Sequence, residues 1–111
     1  MRVTTALLIL LAAAVLEAGG DALVRSGITA SALGARLLFW LTGGLVLFTY
    51  GYVVNAPPWD FGRLLGVYVV FFFVVAQAIS WAAFNQRPNR FVIVGGCFVI
   101  LGGLIMSAGS R

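Results

Sequence analysis

The sequence contains no histidine and no lysine, one cysteine (Cys97), and only three acidic residues, Glu17, Asp21 and Asp60. Each shortage removes a class of function. Without histidine there is no imidazole base and no histidine-bound zinc, and a lone cysteine makes neither a disulfide framework nor a thiolate metal cluster. No metal or other cofactor is expected. Seven arginines leave a formal net charge of +4, which raises the question of nucleic acid. They stand one or two at a time at the ends of apolar runs and build no basic face, so nucleic acid is not an expected partner. An enzyme is not expected either, because beyond Glu17 and Asp21 the apolar segments carry no convergent set of acid, base and nucleophile.

What the chain has is apolar surface. Of its 111 residues 62% are hydrophobic and 9% charged, with a mean hydropathy of +1.09. That composition belongs to a membrane protein. Four apolar stretches, Thr4 to Leu23, Leu37 to Val54, Leu64 to Phe84 and Phe91 to Ala108, are each close to the roughly 20 residues a helix needs to cross a bilayer core. The fold class read from this is all-α, a single four-helix transmembrane domain over residues 1–111. The connections, residues 25–36, 55–63 and 85–90, leave no room for a soluble domain. The apolar run after Arg2 is read as a retained first helix, since Glu17 and Asp21 would stand where a cleavage region is normally neutral.

Glu17 is the residue the rest of the chain must accommodate. It follows the run TTALLILLAAAVL, deep in a segment that otherwise lives in lipid. A carboxylate there costs a few kcal/mol on roughly the most lenient scale, so it persists where it has a task and a polar partner. Helical spacing gathers Ala13, Ala14, Glu17, Gly20, Asp21 and Val24 on one small, acidic face. Ala13 and Gly20 suit either close helix packing or the wall of a cavity. Asp21 precedes Arg25 by four residues, the favourable order for an ion pair, and either pairs with it or joins the acidic site.

Trp40 and the neighbouring Gly43 and Gly44 lie within the second helix, with Tyr50 and Tyr52 near its end as interface anchors. Pro57 and Pro58 then stop the helix. On the third helix Tyr68 shares a face with aromatic residues; a buried phenol needs a partner, which favours a pocket role. The fourth helix repeats a glycine pair at a seven-residue interval, Gly95 with Gly96 and Gly102 with Gly103, a seam expected to pack between subunits.

Arg2, Arg63 and Arg111 fall on one side of the membrane and Arg25, Arg36, Arg87 and Arg90 on the other. So even a division predicts weak or dual orientation, in which two copies can pair head to tail. Depth agrees: Tyr68 lies about five residues into its helix and Glu17 about thirteen, a difference of roughly 12 Å that antiparallel pairing removes.

These residues resemble the small multidrug resistance family of four-helix, proton-coupled exporters, which work as antiparallel homodimers. The first-helix pattern of that family is met by Glu17, Gly20, Leu23 and Arg25, the run after its third helix by Ser80, Trp81, Phe84, Gln86 and Arg87, and its glycine spacing by Gly95 and Gly102. A neighbouring group of small membrane proteins, the YnfA-like family, shares Gly62 with Arg63, Tyr68, Trp81, Arg87 with Pro88, and Arg90. The resemblance implies that Glu17 is the exchanging carboxylate and Tyr68 the substrate-contacting aromatic. It departs from the exporter pattern at Leu65, Val70, Phe72 and Asp21. The function expected is proton-coupled export of small lipophilic or guanidinium-type cations, with aromatic faces at Tyr68 and Trp40 supplying cation-π contact. Expected partners are the cation, protons, the lipid bilayer, and a second copy or a paralogue; the expected location is the bacterial cytoplasmic membrane. Two other readings remain open, a translocator of lipid-linked amphiphiles and a non-transporting membrane subunit.

Overall fold

The computed structural model describes residues 3–108. It is helical: α1 (Val3–Thr29), α2 (Leu33–Asn55), α3 (Phe61–Phe84) and α4 (Arg90–Ala108). All four are long and apolar enough to cross a bilayer, so the protein is a multi-pass membrane protein. Between Pro57 and Pro58 the chain divides into two compact units, each a helical hairpin, α1 with α2 and α3 with α4. Arg2 and Arg111, which enter the count of charges on each side, lie outside the described residues.

The helices outrun the apolar stretches. The first passes its expected end at Leu23 and continues through Thr29, while α2 begins at Leu33 and not Leu37, so the expected connection over residues 25–36 shrinks to residues 30–32. Hydropathy marks where lipid-compatible side chains stop, and backbone hydrogen bonding carries on beyond that point. Here Ser26 Oγ donates to the Ala22 carbonyl (2.9 Å) within α1. The connection is closed from α2, where Arg36 Nε donates to the Ala30 carbonyl at 2.6 Å, satisfying an acceptor that the end of α1 leaves open.

The second hairpin turns on a different device. Asn85, the sole non-glycine residue with positive φ among those described (φ 54°), stops α3 in the left-handed conformation. An asparagine there accepts a geometry that most residues avoid. Its N–H bonds the Trp81 carbonyl (3.1 Å), and the Gln86 N–H reaches back to the Ser80 carbonyl (3.0 Å). Ser80 Oγ lies 3.2 Å from the Gln86 carbonyl oxygen and 3.3 Å from its Oε1. The Arg87 guanidinium sits 5.2 Å from the centroid of the Trp81 ring. Asn89 then caps α4, its Oδ1 accepting the Val92 N–H at 2.9 Å. The Ser80, Trp81, Gln86 and Arg87 cluster is thus a helix stop with a cation-π clasp.

Glycines set the approach within the second hairpin. A Cβ at Gly103 would collide with Val70, and one at Gly96 with the Phe73 ring. Gly95 and Gly102 have open space instead. Seven-residue spacing does place the pairs alike, but one member of each pair faces α3 of the same chain and the other faces away.

Candidate functional site

The α1/α2 hairpin is assembled around glycines. A Cβ built on Gly27 would lie 2.6 Å from Trp40 Cδ1, one on Gly43 would lie 2.9 Å from Val24 Cγ2, and one on Gly20 would lie 2.7 Å from Leu47. These contacts, Gly27 with Trp40, Val24 with Gly43 and Gly20 with Leu47, form a ladder that steps back along α1 as it steps forward along α2, one turn at a time. The next rung pairs Glu17 with Tyr50, and there the Tyr50 hydroxyl is hydrogen-bonded to the Glu17 carboxyl group. A phenol donates to a carboxylate, so the partner that a mid-span acid requires comes from α2. Glu17 and Tyr50 are both half-buried.

One turn further the register places Val54 opposite Ala13, and both are sealed, at 1% and 0% exposed. Ala14 and Ala18 are buried as well. Ala13 therefore belongs to the packed floor below the carboxyl group. Gly20 is buried one turn above it, where α2 passes closest, and serves the approach of the two helices. Asp21 shares the helix face but lies at its exposed edge. Its charge nevertheless reaches the Tyr50 hydroxyl, so Glu17, Asp21 and Tyr50 form one electrostatic group.

Trp40 is not in that group. Its indole N–H donates to the Val24 carbonyl at 3.3 Å and its ring covers Gly27. Val24 is seven residues beyond Glu17, about 10 Å along the axis. Trp40 is a latch between helices at the closed end of the hairpin. Tyr68 lies in the second hairpin, 4% exposed, with its ring tilted 34° against Phe72 at a centroid distance of 6.3 Å. Gly96 and Gly103 pack on α3, whereas Gly95 and Gly102 face outward on α4. Among the described residues no three side chains gather as metal ligands.

Tyr50 is the residue that reading the sequence as an interface anchor missed. The signal was its offset from Tyr52. Two residues on a helix are separated by about 200°, so only one of the two phenols can face α1. Tyr52 points outward, 69% exposed.

Comparison with known proteins gives a family for nearly the whole chain. The family described as "Uncharacterised BCR, YnfA/UPF0060 family" matches residues 3–111. A UPF0060 membrane protein of Mycolicibacterium vanbaalenii is 40% identical over 113 residues, covering 97% of this chain and 98% of the relative. One from Mycobacterium marinum is 38% identical, covering 96% of each, and one from Clostridium beijerinckii is 26% identical over 100% of this chain and 99% of its own length. The YnfA-like part of the resemblance is thereby established; the small multidrug resistance part has no counterpart among these matches. No solved structure matches the chain.

Proposed function

The chain belongs to the YnfA/UPF0060 family of membrane proteins, and from that starting point we propose that it is a proton-coupled antiporter exporting small lipophilic or guanidinium-type cations. The observation that carries this reading is a carboxyl group at the middle of a membrane-spanning helix, hydrogen-bonded by a phenol of the facing helix. An intramembrane acid is a functional site by default, and a carboxyl group there can take a proton or a cation in turn. One carboxylate cannot hold both. Alternating exposure of such a site couples the two movements, cation outward against proton inward.

In this reading Glu17 is the exchanging group and Asp21 adds negative charge at its edge. Two copies pair head to tail in the cytoplasmic membrane of a bacterium, an arrangement favoured by the even division of arginines. The outward face of α4, with Gly95 and Gly102 open, is the surface offered to the second copy.

The test is proton release from the purified protein in detergent on adding a quaternary ammonium or guanidinium compound, with Glu17→Gln as control. Release by the natural protein and none by the variant is the expected outcome. No release by either would overturn the exchange reading and transfer the proposal to amphiphile translocation.

A further inference from the structure

The ladder between α1 and α2 delivers one phenol to the mid-span carboxyl group, and the chemistry of that phenol suits a site that changes protonation state. Arg or Lys opposite Glu17 would hold it permanently as a carboxylate, since both only donate. A tyrosine hydroxyl donates to a carboxylate and can also accept from a carboxylic acid O–H, so it keeps a hydrogen bond in either state. Its geometry is fixed by the packing, because Gly20, one turn above, meets Gly43 backbone to backbone, where a Cβ on Gly43 would lie 3.1 Å from the Gly20 carbonyl oxygen. Asp21 of α1 adds its charge beside the pair, and Tyr52 of α2 turns away.

We infer that Tyr50 is the positioning residue for Glu17, its hydroxyl holding the carboxyl group in one place in both protonation states so that proton and cation exchange on a fixed acceptor. The functional half of this rests on the exchange reading above, whereas the hydrogen-bonded pair does not.

Tyr50→Phe removes the hydroxyl and keeps the ring. Infrared difference spectra of the full-length protein across a pH step identify the carboxyl band that Glu17→Gln abolishes, and calorimetry measures binding of a benzyltrimethylammonium salt. In Tyr50→Phe the Glu17 band is expected to move to higher frequency, as the C=O stretch of a carboxylic acid does on losing a hydrogen-bond partner. Cation affinity is expected to fall about tenfold, the effect of one charge-assisted hydrogen bond. Helicity should be unchanged. An unmoved band in a folded variant would overturn the inference whatever the binding result. A shifted band with no cation binding by the natural protein would overturn the exchange reading, and with it the positioning role. Tyr50→Met, which also lacks a donor, serves the same comparison should the Phe variant fail to fold.

Discussion

Gly20 and Gly43 meet across the first hairpin so closely that a Cβ on Gly43 would lie 3.1 Å from the Gly20 carbonyl oxygen, and one on Gly20 would lie 3.3 Å from the Gly43 carbonyl oxygen. The contact is backbone against backbone and cannot yield by rotating a side chain. Everything at the site follows from it, because Glu17 stands one turn from this crossing on α1 and Tyr50 two turns from it on α2.

Gly43→Val should therefore separate the helices and cost about 1–3 kcal/mol, the usual cost of overpacking. The adjacent Gly44 has open space, so Gly44→Ala should leave stability unchanged or raise it by up to about 1 kcal/mol through helix propensity. Unfolding of both variants by titrating SDS into mixed micelles, followed by circular dichroism, makes the comparison.

The same logic divides the glycines of the second hairpin, on α3 and α4. Gly103→Ala meets Val70, a β-branched side chain with little freedom, and should destabilise the second hairpin by about 1–3 kcal/mol. Gly66→Ala meets only the flexible end of Met106 and should cost less. Gly95→Leu leaves the hairpin intact in unfolding experiments and, where the outward face of α4 joins two copies, lowers the dimer fraction measured by cross-linking.

Trp40→Phe keeps an aromatic ring over Gly27 and loses the bond to the Val24 carbonyl. The expected loss is about 0.5–1.5 kcal/mol, the net contribution of one hydrogen bond. Thermal unfolding in detergent reads it directly.

Asn85 is the conformational stop of α3, and its φ of 54° sorts substitutions by backbone preference alone. Asn85→Gly should be neutral, and Asn85→Val should cost about 1–2 kcal/mol. Amide hydrogen exchange at Gln86, whose N–H is bonded to the Ser80 carbonyl, should accelerate in the valine variant and remain slow in the glycine variant.

Hydropathy made the four helices legible, along with the place of Glu17 within the first. It misplaced the loop after α1 because Ser26, Thr29 and Arg36 are polar by composition, yet they bond to backbone carbonyls and extend or close the helices. Trp40 read as a cation platform because an aromatic ring in a membrane helix fits that role as well as any other; only the register shows its N–H committed to Val24. Tyr50 stayed hidden for the complementary reason. Which residues face each other across two helices depends on where they cross, and four mid-helix glycines offer several crossings to sequence alone. The Ser80 to Arg87 run was recognisable as a pattern, while its work as a helix stop required the positive φ at Asn85.

The connection over residues 30–32 also limits how the protein can move. Two helices joined by so short a link, with a glycine seat on each of three successive rungs, have no freedom to slide past one another by a turn. Any cycle that turns the carboxyl group from one side of the membrane to the other must carry the first hairpin as a single lever, with Glu17 and Tyr50 riding on it as passengers in one seat.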